Sequence, residues 1–201
     1  PRRVEGLVGQ GLRLLACGAE HMIACSASHT WTWGSGTYGQ LGHSNTLSHG
    51  KPTRLVSLTG NSAVEDVAAG FYHNIVVSKS AEVFTWGRNS SNCLGNGSSD
   101  EVVATPTAVV SLEGQSVKKV AAGAHHTLAI TVNGHISSWG LSESGALGLA
   151  TDTQSTAAKY VETPTRLHSL GDMRVRCAAA GPDHTVIVTI EKQTEMIPGI
   201  V

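Results

Sequence analysis

The sequence predicts an all-β fold, and more narrowly a β-propeller, on three observations. The first is an internal repeat of roughly 50 residues, the length of a propeller blade with three or four short strands. The second is the composition: charged residues make up only 14 % of the chain and 23 of its 201 residues are glycine, which favours sheet and tight turns. The third is that no segment shows a sustained helical period of 3.6 residues, so we expect very little helix.

Four markers recur along the chain in the same order. They are a glycine three residues before a histidine, a Trp-Gly pair, a turn ending in Leu-Gly, and a proline that we take as the start of the next unit. This frame predicts repeats at about 1–51, 52–105 and 106–163, a partial fourth at 164–190 that lacks the Trp-Gly pair, and a tail or start of a following segment at 191–201. The markers are Gly18, Gly70, Gly123 and Gly181; His21, His73, His126 and His184; Trp33, Trp86 and Trp139; Leu41, Leu94 and Leu147; and Pro52, Pro106 and Pro164.

Each residue choice has a mechanical reason in a propeller. The small residues before each marker glycine suit innermost strands, because these strands converge on a central channel. The tryptophans suit the wedge between blades, where a buried indole N–H needs a hydrogen-bond partner. Segments such as 73–77 and 126–130 have the β-branched alternation of half-buried strands. The pair Asn133 and Gly134 predicts a type I′ hairpin turn.

The same markers resemble the regulator of chromosome condensation repeat, and the resemblance covers essentially residues 1–190. Blades of WD-repeat or kelch type would need motifs that do not recur here. The resemblance implies a propeller that is seven-bladed in typical members, of which this chain would hold about half. We therefore expect either the rest of the propeller or another chain to cover the open blade faces. The departures from the family pattern are Asn92 and Cys93 in the second turn and the missing Trp-Gly of the fourth unit.

Three motifs that suggest chemistry have a structural alternative, which we favour. Gly34, Gly36 and Gly39 match a dinucleotide fingerprint, but the helix that the fingerprint requires does not follow. Cys17, His21, Cys25 and His29 are spaced like metal ligands on a helix, yet a strand would scatter them. The four marker histidines repeat, and a repeated residue serves a repeated structural role such as hydrogen bonding between blades. We therefore predict no catalytic residue, cofactor or metal.

Composition also limits the setting. A net charge of −1 does not favour strong nucleic-acid binding. No apolar stretch is long enough to cross a membrane, and no signal peptide is visible. Four scattered cysteines do not form a disulfide framework, so we expect an intracellular protein, cytoplasmic or nuclear.

Function is expected in the loops of a propeller face, because the strands are scaffold. The interval from Gly148 to Pro164 is five or six residues longer than its counterparts, which indicates a partner contact or a tolerated insertion. The partner-binding candidates are Asp100, Glu101, Asp152, Lys159 and Tyr160. These loop features predict that the chain is a non-catalytic protein-interaction module within a larger protein. The alternative, implied by the resemblance to the founding family member, is guanine-nucleotide exchange on a Ran-like small GTPase, and no exchange residue can be aligned here.

Overall fold

Four antiparallel sheets follow one another along the chain in the computed structural model, which describes residues 3–59, 63–149 and 159–190. Three sheets have four strands and the last has two, and neighbouring strands in each sheet are consecutive in sequence. Blade 1 contains β1 Leu14–Cys17, β2 His21–Cys25, β3 Thr30–Gly34 and β4 His49–Leu55; blade 2 contains β5 Val64–Ala69, β6 His73–Ser78, β7 Val83–Arg88 and β8 Val102–Ala108; blade 3 contains β9 Val117–Ala122, β10 His126–Thr131, β11 Ile136–Leu141 and β12 Tyr160–Arg166; blade 4 contains β13 Arg174–Ala180 and β14 Thr185–Ile190. The all-β, propeller-type prediction is confirmed.

Helix is limited, within the described ranges, to three-residue 3-10 turns at Glu5–Leu7, Val110–Leu112 and His168–Leu170. These ranges contain no helix that is both long and apolar enough to cross a membrane.

The innermost strands β1, β5, β9 and β13 contact one another in series, which arranges the blades around a common centre. As predicted, small residues line that centre, around a cavity of about 220 Å³. They include Cys17, Gly18, Ala69, Gly70, Ala122, Gly123, Ala180 and Gly181.

Two of the three marker tryptophans, Trp86 and Trp139, occupy the wedges between blades as predicted. Trp86 is fully buried in a cluster with Ile23 and Leu55 of blade 1. Trp139 of blade 3 is fully buried in a cluster with Ile75, in blade 2, and Val109, which directly follows the last strand of blade 2. Trp33 of blade 1 is only half-buried.

The marker prolines lie within the outermost strands and not at the start of blades. Pro52 is in β4, Pro106 in β8 and Pro164 in β12, and each of these strands forms the outer edge of its sheet. An edge strand tolerates proline because it has backbone positions that need no ladder hydrogen bond. The sheets therefore share the period of the sequence repeat but differ from it in phase. The segment 191–201 lies outside the described residues.

The hairpin turn at Asn133 and Gly134 is not the predicted type I′ turn. Ile130 pairs with Ile136, so five residues separate the paired positions. The N–H of Gly134 donates to the carbonyl of Thr131 at 2.9 Å, so the central residues of the turn are Val132 and Asn133. Of the predicted pair only Gly134 has a positive φ, 78°. This is a type I turn followed by a glycine in the left-handed region, which a longer loop favours.

One face of blade 4 remains accessible. Val186 and Val188 in β14 are 57 % and 48 % exposed. In the repeat register Val186 corresponds to Ile75 and Leu128, both fully buried against the following blade.

Candidate functional site

Each blade divides its turns between two faces of the arc. The turns between first and second strands and the loops between third and fourth strands lie on one face, which we call the loop face. The hairpin turns between second and third strands and the connections between blades lie on the opposite face.

The marker histidines join each blade to the next. Nε2 of His21 lies 3.0 Å from Oδ1 of Asn74, and Nε2 of His73 lies 2.9 Å from Oγ1 of Thr127. Nε2 of His126 lies 2.9 Å from Oγ1 of the blade 4 residue Thr185. For these three of the four marker histidines the interpretation as hydrogen-bonding groups between blades is confirmed.

Burial lowers the pKa of all three histidines below the usual value. For His73 the pKa falls to about 3, chiefly through desolvation and secondarily through the neighbouring rings of His21, His126 and His125. The pKa values of His21 and His126 are lowered mainly by the same desolvation. Fully buried, His73 is a neutral structural group, and its position does not suit acid–base chemistry at neutral pH.

The residues after His73 and His126, which the sequence analysis did not single out, extend the contact to a backbone carbonyl. The Gln40 carbonyl accepts hydrogen bonds from Nδ2 of Asn74 at 2.8 Å and from Nε1 of Trp86 at 3.0 Å. The equivalent Cys93 carbonyl accepts from Oγ1 of Thr127 at 2.6 Å and from Nε1 of Trp139 at 2.9 Å. The turn of one blade is thus held by two side chains of the next. The available signal was a polar residue, Asn74 or Thr127, between the marker histidine and the apolar run of the strand.

The four residues with metal-like spacing do not converge. His21 is at the loop-face end of β2, whereas His29 is in the hairpin turn on the opposite face. Cys17 is exposed on β1, and Cys25 is fully buried, with the Thr30 hydroxyl 3.7 Å from its sulfur. Within the described residues no group of three or more His, Cys, Asp or Glu side chains could hold a metal ion.

The glycines of the dinucleotide-like segment serve packing. The chain turns after β3 and does not enter a helix. A Cβ on Gly39 would lie 2.9 Å from the Cβ of Ala104 in blade 2, so a side chain there would push the two blades apart.

Two of the predicted partner-binding residues occupy corresponding positions in adjacent blades. The carbonyl of Glu101 accepts from the backbone N–H of Asn89 at 2.7 Å, and the carbonyl of Lys159 accepts from that of Ser142 at 3.1 Å. Their side chains are 67 % and 55 % exposed. Both lie on the loop face at the end of the loop between third and fourth strands.

The ion pairs of these residues are local. Glu101 pairs with Arg88 at 3.7 Å, and Lys159 pairs with Glu143 at 3.2 Å. Pairs this exposed contribute about 0–1 kcal/mol, so both side chains can exchange their partners at little cost.

The remaining candidates are placed as follows. Asp100 is exposed, and its backbone N–H donates to Oγ of Ser98 at 3.1 Å. Tyr160 is partly buried, with Nζ of Lys159 at 5.4 Å from its ring centroid. Asp152 and most of the long loop that contains it lie outside the described residues.

A group of aromatic residues on the loop face was missed by the sequence analysis. The rings of Tyr38 and Tyr72 are 4.9 Å apart, and the Arg88 guanidinium lies 4.6 Å from the Tyr38 ring centroid. The Phe71 ring lies 6.2 Å from the Tyr72 ring and 5.8 Å from the His125 ring. The available signal was that these residues depart from the repeat at their positions. We call Tyr38, Phe71, Tyr72 and His125 the aromatic patch.

Comparison with known proteins agrees with this architecture. The family model of the Regulator of chromosome condensation (RCC1) repeat matches residues 28–77, 80–130 and 133–188. The chain belongs to this family. Each matched segment begins near a hairpin turn of the opposite face. The family model therefore starts the repeat at a different point from both the proline markers and the sheets, with the same period.

Two curated relatives and one solved structure illustrate the likeness. The chain is 35 % identical over 178 residues to the ultraviolet-B receptor UVR8 of Arabidopsis thaliana, covering 88 % of this chain and 39 % of that protein. It is 30 % identical to the probable E3 ubiquitin-protein ligase HERC6 of Homo sapiens, covering 94 % of this chain and 18 % of that protein. The structure of Prp20p from Saccharomyces cerevisiae superposes with a TM-score of 0.80 at 25 % identity, covering 92 % of this chain and 45 % of that one. The chain therefore spans less than half the length of each of these proteins.

Proposed function

We propose that this chain is a non-catalytic protein-interaction module that binds a partner through its loop face. The observation that carries the proposal is the position of Glu101 and Lys159. Both side chains are exposed at corresponding sites on adjacent blades of one face, and their contacts are local: one ion pair each and, for Lys159, the Tyr160 ring. Asp100 and Tyr160 are next to them in sequence and complete the described part of this surface.

The buried polar groups support the same conclusion. The perturbed histidines are engaged between blades, and burial raises the pKa of the Cys25 and Cys93 thiols to about 11 and about 12. Neither thiol is therefore an activated nucleophile.

The test compares two multiple variants of the full-length protein in partner capture. The loop-face variant carries D100S, E101Q, K159Q and Y160S. The control carries E113Q, H135Q and D172N, which change exposed residues on the opposite face. A partner that is retained by the control and lost by the loop-face variant, and that binds the wild type directly after purification, supports the proposal. A partner lost only by the control would place the binding surface on the opposite face and contradict it.

Guanine-nucleotide exchange on a Ran-like GTPase is the second candidate. It is favoured by the similarity to Prp20p, whose structure was described together with its binding to Gsp1p and histones. The experiment measures release of a fluorescent guanine nucleotide from Ran and from a panel of other small GTPases in the presence of the full-length protein. Accelerated nucleotide release establishes exchange activity. Unchanged release across the panel rejects this candidate, and the interaction module is then the only proposed function.

We further propose that the exposed face of blade 4 is covered in the whole protein, either by further blades or by another chain. Val186 and Val188 support this, because the residues in their register in blades 2 and 3 are buried. An intracellular location, cytoplasmic or nuclear, belongs to the same proposal, and the four cysteines, all of them free thiols, suit a reducing compartment.

A further inference from the structure

The aromatic patch breaks the symmetry of the repeat. Within each blade the same positions are otherwise small or polar, so the blade fold does not require aromatic rings there. In the repeat register Tyr38 corresponds to Ser91 and Ser144, and Phe71 to Ala19, Ala124 and Pro182. Tyr72 and His125 occupy the same position in adjacent blades, which is Glu20 in blade 1 and Asp183 in blade 4. Residues that the scaffold does not need, gathered in one place, indicate a site of interaction.

The patch is assembled from three blades. Tyr38 comes from the loop after β3, Phe71 and Tyr72 from the turn after β5, and His125 from the turn after β9. Backbone hydrogen bonds also join turns of neighbouring blades: the Ala19 N–H donates to the Phe71 carbonyl at 3.1 Å, and the Ala124 N–H donates to the Pro182 carbonyl at 3.2 Å. The turns that carry Phe71 and His125 are therefore each anchored to an adjacent blade, which restrains these rings without a partner.

Phe71 is the most accessible member. Its ring lies near the rings of Tyr72 and His125, and the residue is 39 % exposed, beside the central cavity. Exposed aromatic side chains held in a rigid cluster are typical anchors of protein interfaces, because binding costs them little conformational entropy.

Charge distinguishes between possible occupants. The described turns and loops of this face contain the carboxylates of Glu20, Asp100, Glu101, Glu143 and Asp183. Against these stand the cations Arg88 and Lys159, which already pair with Glu101 and Glu143. The uncompensated charge of the face is therefore negative.

Two of the uncompensated carboxylates flank the patch. Glu20 follows Ala19, whose N–H is bonded to the Phe71 carbonyl. Asp183 follows Pro182, whose carbonyl accepts from the N–H of Ala124 at 3.2 Å, beside His125. Aromatic faces bordered by carboxylates are suited to a guanidinium, which stacks on a ring and pairs with an acid through its planar edge.

We propose that the aromatic patch binds an arginine-containing basic segment of a protein partner. The arginine side chain stacks on Phe71, and Glu20 or Asp183 compensates its charge. Arg88 on Tyr38 is an example of the same contact within the chain. This inference rests on the proposed function and adds the chemical class of the partner. Nucleic acids and acidic peptides would meet the uncompensated carboxylates and are disfavoured.

The test uses fluorescein-labelled decapeptides and the full-length protein in anisotropy titrations. The probes carry four arginines, four lysines or four glutamates spaced by glycine and serine, and a fourth probe is a 12-nucleotide single-stranded DNA. We expect the arginine peptide to bind severalfold more tightly than the lysine peptide, and the glutamate peptide and the DNA to bind least. Equal binding of all probes, or preference for the glutamate peptide or the DNA, overturns the proposal.

Variants copied from the chain's own repeats make the test specific. Phe71→Ala introduces the residue present at the same position in blades 1 and 3, so the fold should tolerate it. We expect it to weaken arginine-peptide binding about threefold to tenfold with an unchanged melting temperature. The control is Val110→Ala, which alters a 70 % exposed apolar residue on the opposite face and should leave binding unchanged. Unchanged binding in Phe71→Ala overturns the proposal.

Failure here is distinguishable from failure of the proposed function. If the D100S/E101Q/K159Q/Y160S variant loses its partner while no arginine-peptide preference is found, the loop face binds a partner of other chemistry. If partner capture survives every loop-face change, the proposed function itself is wrong.

Discussion

Nε2 of His73 lies 2.9 Å from Oγ1 of Thr127, 54 positions later in the next blade, and the direction of this hydrogen bond is fixed. The Thr127 hydroxyl donates its single proton to the Cys93 carbonyl at 2.6 Å. The His73 ring must therefore be the donor, as a neutral imidazole protonated at Nε2. One histidine, one hydroxyl and one carbonyl form a continuous chain across the blade interface.

The buried histidines make stability depend on pH. Because the pKa of His73 is about 3 in the folded protein and near 6.5 in the unfolded chain, only the unfolded chain binds a proton on it between these values. Its contribution is complete above pH 6.5 and is lost progressively as the pH falls towards 3. We expect the free energy of unfolding to fall, through His73 alone, by about 1.4 kcal/mol for each pH unit of acidification within this window.

Urea unfolding at several pH values between 4 and 8 measures this slope. His73→Gln should lower the pH dependence of the free energy of unfolding by about 1.4 kcal/mol per pH unit. The control His135→Gln, on an exposed turn, should leave this pH dependence unchanged. Asp66, whose carboxyl pKa is raised mainly by burial, works in the opposite direction at the acid end. A His73→Gln protein with the wild-type slope would contradict the assignment.

The tryptophans should differ in what they contribute. Trp86 is fully buried between blades and bonded to the Gln40 carbonyl, so Trp86→Ala should lower the free energy of unfolding by about 3–5 kcal/mol. Trp33→Ala removes a half-buried ring and should cost clearly less. Denaturant unfolding monitored by circular dichroism compares the two, and equal losses, or a loss below about 1 kcal/mol for Trp86→Ala, would show that the indole is not the filler between blades.

Alanine substitutions at two glycines, Gly95 and Gly97, distinguish the cost of backbone strain from the cost of a packing clash. Gly95 and Gly97 both have positive φ, 63° and 78°, so alanine is strained at either position by about 1 kcal/mol. A Cβ on Gly95 would lie 2.5 Å from Nε1 of Trp139, whereas nothing lies within 4 Å of one on Gly97. Gly95→Ala should therefore be the more destabilising by about 1–3 kcal/mol. Equal effects in thermal unfolding would mean that Trp139 moves aside freely.

The sequence predicted the roles of residues that recur from blade to blade, but not the roles of residues that differ between blades. Trp86 and His73 were interpretable because their types repeat in register, and a repeated residue has a repeated role. The partners of the marker histidines were missed because their position holds Asn74, bonded to His21, in one blade and Thr127, bonded to His73, in the next. The aromatic patch depends on how neighbouring blades dock, which brings Tyr38 beside Tyr72, and no local pattern contains that distance.

At Ala81 a glycine substitution should stabilise the fold. It occupies in blade 2 the turn position that Gly134 occupies in blade 3, with φ 64°, and its N–H donates to the Ser78 carbonyl at 2.9 Å. A side chain is disfavoured in this conformation, so Ala81→Gly should raise the melting temperature by the equivalent of about 1 kcal/mol. Gly134→Ala should lower it, because a Cβ there would also lie 2.8 Å from that of Arg174. A lower melting temperature for Ala81→Gly would contradict the turn assignment.

The four cysteines should react in two classes. Cys17 and Cys177 are exposed, whereas Cys25 and Cys93 are buried with thiol pKa values raised by desolvation to about 11 and about 12. Because the thiolate is the reacting form, an aromatic disulfide reagent at pH 8 should modify two thiols of the native protein quickly and the other two only on unfolding. Removing Cys17 and Cys177 by substitution with alanine should abolish the fast phase and leave the slow one. Rapid reaction of all four thiols in the native protein would show that the interfaces around Cys25 and Cys93 open without global unfolding, contrary to the hydrogen-bonded contacts that hold these blades together.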